Sequence, residues 1–259
     1  MAAGLVYDHG VWIAPVLFLA ISLVFSMLGM GGSQLYIPIL YWLGMDFVHE
    51  AIPLGLALNV VVASSASVTY FHQGMVRLRM AVPFALAMVL LAPIGSLFAL
   101  NVPTRVVIGG FALFTLTGAL IVLSGWRPRR KVESHAAEIV LGIGAGSALG
   151  FLVGFTGRGG GAMVMPVLLL AGCDPRCAAA TSSVIVAASS LSAFLAHLPG
   201  ATFHPALATV LVASVLLGSQ AGSRLMARRM PKKALRYIFS AVLIGVSVLL
   251  LRDALFGGG

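Results

Sequence analysis

The sequence predicts an all-α polytopic membrane protein made of two inverted-topology repeats. Three observations carry that expectation. Apolar runs near 20 residues recur down the chain, and a helix of that length crosses a bilayer core of roughly 30 Å. Charged residues make up 9% of the 259 residues and hydrophobic residues 60%, with a mean hydropathy of +1.06; a soluble domain carries about 25% charge. Two glycine-rich breaks, each followed by a proline, recur at one fixed offset.

The elements follow in order. An apolar run spans Val11 to Leu28, and the stretch "LGMGGSQLYIPIL", residues 28 to 40, then interrupts it with three glycines, a serine, a glutamine and a proline. A short apolar piece covers Gln34 to Leu43, and longer runs cover Phe47 to Phe71, Met80 to Leu100 and Thr104 to Leu123. The second half gives Ala136 to Phe155, the break "TGRGGGAMVMPVLL" at residues 156 to 169, and a short piece from Ala162 to Ala171. Long runs at Pro175 to Leu198, Phe203 to Leu225 and Lys232 to Leu251 complete it. Each repeat thus reads as a glycine-broken hairpin with a half-helix, followed by three long transmembrane helices. The total is about eight long helices plus two short ones.

The repeat is read from register. The offset that carries Pro38 onto Pro166 also carries Gly29 onto Gly157, Gly31 onto Gly159 and Gly32 onto Gly160. It continues through Gly44 and Gly172, Asp46 and Asp174, Pro103 and Pro231, and Phe111 and Phe239. Internal repeats of this kind are common among transporters. The expected organisation is a first transmembrane repeat at 1–126, a basic linker at 127–135 and a second repeat at 136–259.

Charge sets the orientation. Loop 72–79 carries Arg77 and Arg79, while its counterpart at 197–204 has no Lys or Arg. One loop later the bias reverses: "NVPTR" has only Arg105, and its counterpart has Arg224, Arg228, Arg229, Lys232 and Lys233. Equivalent loops should therefore lie on opposite faces. Positive-inside reasoning places 72–79, 125–133 and 224–233 in the cytoplasm and both termini outside. Three long helices per half give an odd number of crossings, so the first run and the short piece must enter and return on one side. The net charge of +9 belongs to these loops, and nucleic acid is not expected as a partner. The first ten residues lack the basic region of a signal peptide, so the first run reads as a retained helix. Cys173 and Cys177 read as two free thiols, too few for a structural zinc site.

A helix break in lipid exposes backbone groups that only protein or a wet cavity can satisfy. A short helix starting there aims free N–H groups and a positive dipole end at the break, which makes an anion site without a lysine. The residues expected to bind substrate are Gly31, Gly32, Ser33, Gln34, Asn59, Arg158, Gly159, Gly160, Gly161 and Thr181. Gly29, Pro38, Gly157 and Pro166 are assigned to the break itself. Single membrane glycines more often serve helix packing; runs of consecutive glycines do not suit a packing face. Arg158 costs about 2.5–3.5 kcal/mol at membrane depth, so it either faces the anion, which its paired donors suit, or snorkels to an interface or pairs with a structural carboxylate. Ser64, Ser65, Ser182, Ser183, Ser189, Ser190 and Ser192 are discounted, because hydroxyls in membrane helices usually bond nearby backbone. His72, His197 and His204 sit at helix ends and read as interfacial.

The two motifs, "GMGGSQLYIPIL" and "GRGGGAMVMPVLL", resemble the paired G-x-G-G-G-x-x-x-x-P-x-L signature of the sulfite exporter TauE/SafE family, also described as toluene-sulfonate uptake permeases. "AAATSSVIVAASSLSAF", residues 178–194, is similar to the family's Thr-Ser stretch. The resemblance implies transport of small sulfur-containing or organic anions across a bacterial inner membrane. Two departures bear on which anion is carried: Ser33 replaces a third glycine, and Arg158 occupies a variable position. The first half also reads "AIPLGLALN" where a Thr-Ser pair is expected.

The expected function is a secondary transporter of a small anion working by alternating access, with sulfite, a sulfonate or another sulfur-containing organic anion as substrate. The bilayer is its other partner, and a proton or cation is the candidate coupling ion. No cofactor is expected, and no phosphate-binding Lys-Ser/Thr follows the glycines. An anion channel is the alternative. A membrane-embedded enzyme ranks last, since the spans offer only scattered serines, one arginine and few carboxylates.

Overall fold

The computed structural model describes residues 2–99, 113, 116, 119, 120, 123, 124, 134–156, 161–228 and 230–256. Among them nine helices have defined bounds: α1 (Ala2–Leu28), α2 (Ser33–Trp42), α3 (Ile52–His72), α4 (Leu78–Ala99), α5 (His135–Thr156), α6 (Gly161–Leu170), α7 (Pro175–His197), α8 (Pro205–Arg228) and α9 (Lys232–Phe256). A π-helical turn, Phe47–Ala51, leads into α3. The described positions between 113 and 124 are helical, and the rest of the Thr104 to Leu123 run and most of the linker lie outside the described residues.

The described residues form an all-helical fold, membrane-spanning by length and composition. His49–His72, Ala136–Val153, Pro175–His197 and Pro205–Arg228 are long and apolar enough to cross, and Ile13–Leu28 and Leu78–Ile94 are shorter apolar helices. The lipid-length pattern explains α3, α7 and α8; local chemistry explains their ends. Pro175 and Pro205 open α7 and α8, where a missing N–H costs nothing. Gly44, Gly74 and Gly172 close α2, α3 and α6 with φ of 90°, 65° and 84°. In each case the next residue donates back five positions: Met45 to Leu40, Met75 to Tyr70 and Cys173 to Leu168. This is the Schellman arrangement, and it needs the left-handed glycine.

One assignment is corrected. Pro38 and Pro166 do not form the break. Each is the sixth residue of a ten-residue helix, α2 or α6, which continues through it. Packing on neighbouring helices holds a proline in place where isolated propensity would not.

The most extensive interfaces are α4 with α5, α1 with α8, and α3 with α7. Glycines let the first two approach closely. Gly142, Gly146 and Gly150 of α5 lie against Met80–Pro83–Phe84, Phe84–Ala87 and Met88 of α4. Gly218 and Gly222 of α8 lie against Leu19–Ser22 and Leu23–Ser26 of α1. In both pairs position numbers rise together, so the helices are parallel. Helices α3 and α7 run the other way: Asn59 donates to Ser190, and Ser67 to Ser183.

Helix α3 has 21 residues, about 30 Å at 1.5 Å per residue, and its two ends carry different contacts. At its start, the Thr202 N–H donates to the His49 carbonyl at 2.8 Å, and His204 Nε2 lies 3.4 Å from Glu50 Oε1. Beyond its end, Arg77 pairs with Glu138 at 3.6 Å and its N–H donates to Thr181. Loops 72–79 and 198–204 therefore lie at opposite ends of the bundle.

Candidate functional site at the helix breaks

The first break begins as a helix cap. Gly29 (φ 65°) donates to Ser26, and Met30 donates to Phe25, closing α1. Gly31 is also left-handed, at φ 68°. The chain then turns into α2, with Gly32 in the capping position and no side chain of its own to offer.

Asn59 supplies what Gly32 lacks. Its Oδ1 accepts from the Gly32 N–H at 2.5 Å and the Ser33 N–H at 3.0 Å. Its Nδ2 donates to Ser190 Oγ on α7 at 2.6 Å. Asn59 is wholly buried, and its amide is satisfied on both sides. The N–H groups read from sequence as free for an anion are thus held by a carboxamide oxygen.

The rest of the break is packed without slack. A Cβ on Gly31 would overlap the Asn59 amide, and one on Gly32 would overlap the Tyr36 ring. One on Gly29 would overlap the Ala179 carbonyl of α7. Ser182, beside that point, donates to the Gly29 carbonyl at 2.8 Å, and Tyr70 donates to the Ser26 carbonyl at 2.7 Å. Tyr36 stacks on Phe18 with ring centroids 4.8 Å apart. Gly161, the first residue of α6, lies against the Met30 backbone. The start of the second short helix therefore meets the first break.

The residues picked from sequence separate into groups. Gly29, Gly31, Gly32, Ser33, Asn59 and Gly161 come together and are buried. Gln34 is half-buried at the second position of α2. Thr181 does not join them: its Oγ1 accepts from the Arg77 N–H at 3.1 Å and stands 3.9 Å from Cys177 Sγ, towards the far end of α3. Its neighbour Ser182, discounted from sequence, is the one that holds the break. Successive helix residues point about 100° apart, so composition alone does not choose between them. Arg158, Gly157, Gly159 and Gly160 lie outside the described residues.

Sequence reasoning also passed over Gln220. It donates to Ser65 Oγ at 2.6 Å and to the Ser65 carbonyl at 3.2 Å, while Ser219 donates to the Val62 carbonyl at 2.8 Å. These bonds tie α8 to α3. A glutamine inside an apolar run was the available signal, since such residues bond across membrane helices.

A buried helix break inside a polytopic bundle, with backbone N–H groups gathered at one point, defines a membrane-transporter type of site. The sequence matches the model of the family described as sulfite exporter TauE/SafE over residues 13–250. The chain belongs to that family, a family of transporters and not of enzymes. It is 25% identical over 240 residues to the probable membrane transporter protein y4hK of Sinorhizobium fredii, covering 88% of this chain and 93% of the relative. It is 24% identical over 271 residues to the probable membrane transporter protein YunE of Bacillus subtilis, covering 94% and 98%. A probable membrane transporter protein of Xylella fastidiosa is 26% identical over 234 residues, covering 88% and 90%. No solved structure matches the chain.

Proposed function

We propose that the chain is a secondary transporter of a small anion, with sulfite, a sulfonate or another sulfur-containing organic anion as its substrate. It works by alternating access between two inverted halves, 1–126 and 136–259, in a bacterial inner membrane with both termini outside. The observation that carries this reading is the meeting of Gly161 with Met30. It brings the start of one short helix to the break before the other, where two backbone N–H groups already converge on one oxygen. Such N–H groups favour an anion.

Support for the inverted halves comes from pairing. At the repeat offset α1 corresponds to α5 and α4 to α8, and the two extensive parallel interfaces are α1 with α8 and α4 with α5. Each interface joins one half to the other. The corresponding helices α3 and α7 run antiparallel. Each first helix with its short partner then forms a hairpin entering from its own side. Gly31, Gly32, Ser33, Gln34, Asn59 and Gly161 are assigned to the substrate site at the breaks, with Gly159, Gly160 and Arg158 completing the second break, and Thr181, beside Arg77, to the path leading away from it.

The test is uptake of radiolabelled sulfite, with a panel of small sulfonates, into proteoliposomes. Wild-type protein is expected to give saturable uptake, and Arg158→Ala to lose most of it. Uptake no greater than in protein-free vesicles for every anion would overturn the reading.

A further inference from the structure

The first break leaves its own capping position empty and fills it from another helix. Helix N-termini are ordinarily capped by the side chain at that position; here that residue is Gly32. The cap comes instead from Asn59, 27 positions away on α3, as a single oxygen shared by two N–H groups. That is also how one oxygen of an oxyanion would sit at a helix start.

The surroundings are donor-rich. The Tyr36 hydroxyl is wholly buried and makes no well-formed hydrogen bond. It faces Gly32, where a Cβ would stand 2.5 Å from it. Ser22 lies nearby but gives its own hydrogen to the Leu19 carbonyl at 2.9 Å. On the other side stands the Ser190 hydroxyl, which accepts from Asn59. With Asn59 turned away, the Gly32 and Ser33 N–H groups would be released beside the Tyr36 and Ser190 hydroxyls. Uncharged donors of this kind, two converging N–H groups with hydroxyls close by, suit a small oxyanion.

Asn59 also links two helices. It bonds the break through one end of its amide and α7 through the other. An anion that took the place of Oδ1 would release the bond from α3 to α7. A ligand shifts a conformational balance only by its differential contacts with the two states, and this exchange supplies such a difference.

We propose that Asn59 is a tethered stand-in for the transported anion, holding the break to α3 and α7 until an oxyanion displaces it. This rests on the anion reading above for its ligand, and on the break geometry for the displaceable cap. Asn59 is a positioning residue, and its amide competes with substrate for the same N–H groups. A competing internal occupant weakens apparent affinity by the fraction of protein it holds closed.

Thermal unfolding of the purified full chain, titrated with sodium sulfite at neutral pH, tests it on wild type, Asn59→Ala and Asn59→Asp. Without sulfite, Asn59→Ala is expected to unfold below wild type. Its half-saturating sulfite concentration is expected to fall about tenfold, because the competitor is gone. Asn59→Asp is expected to unfold above Asn59→Ala and to ignore sulfite, because its carboxylate occupies the site. Asn59→Asp unfolding below Asn59→Ala would overturn the proposal whatever sulfite does. Sulfite binding by Asn59→Ala no tighter than by wild type would also overturn it, while leaving the transporter reading intact. No response of wild type or Asn59→Ala to sulfite, with Asn59→Asp more stable than Asn59→Ala, would uphold the stand-in and remove sulfite as the ligand. Where Asn59→Ala yields no folded protein, folded and sulfite-insensitive Asn59→Asp supports the proposal, and unfolded Asn59→Asp contradicts it.

Discussion

Gly161 sits against the backbone of Met30, so close that a single added Cβ would overlap the Met30 carbonyl oxygen. The contact joins the start of α6 to the break before α2, and backbone on one side leaves nothing flexible to give way. Gly161→Ala is therefore expected to cost at least about 1–3 kcal/mol, the range for overpacking a filled site. Gly29→Ala adds a left-handed backbone (φ 65°) to a clash with the Ala179 carbonyl, and the conformation alone costs roughly 1–2 kcal/mol. Gly245→Ala meets nothing within 4 Å and is the control, expected within about 0.5 kcal/mol of wild type. Unfolding temperatures of the three purified variants check this ranking. A Gly161→Ala protein as stable as the Gly245→Ala control would contradict the contact.

The antiparallel pairing of α3 and α7 predicts a cross-link. Ser67 Oγ and Ser183 Oγ are 3.0 Å apart. With Cys173 and Cys177 replaced by serine, Ser67→Cys combined with Ser183→Cys is expected to form a disulfide under mild oxidation. Intact mass should fall by two hydrogens. If the proposed alternating access between halves holds, anion uptake should stop in the oxidised protein and return on reduction, because that mechanism moves α3 and α7 against each other. Full uptake with the disulfide formed would mean that these helices travel together.

Much of the architecture is legible in the sequence because lipid imposes length. The run read as Pro175 to Leu198 becomes α7, Pro175–His197, and the pieces read from Gln34 and Ala162 become α2 and α6, starting at Ser33 and Gly161. The first glycine break is legible because φ near 65° at Gly29 and Gly31 admits few other residues. The polar contacts are less so. Thr181 and Ser182 are equivalent in a hydropathy profile, yet one faces Arg77 and the other Gly29. Asn59 was picked as a substrate ligand, and its place as the cap of a helix begun 26 positions earlier depends on tertiary packing that no local pattern encodes. Pro38 and Pro166 misled for the complementary reason: a proline is a local signal, and packing overrides it.

Loop positions give a topology prediction. Gln73 and Pro199 are exposed, in loops at opposite ends of the bundle. In a cysteine-free background, Pro199→Cys is expected to react with a membrane-impermeant thiol reagent from outside the cell. Gln73→Cys should react only after the membrane is opened if its loop, which carries Arg77 and Arg79, follows the positive-inside rule. Equal labelling of both from outside would contradict the inverted arrangement.

Counterflow tests the central claim most directly. Proteoliposomes are loaded with unlabelled sulfite and diluted into a trace of radiolabelled sulfite. A carrier whose site faces one side at a time is predicted to accumulate label transiently above its equilibrium level, and to do so saturably. Label that only approaches equilibrium, at a rate indifferent to internal sulfite, would contradict alternating access and make the protein an anion channel.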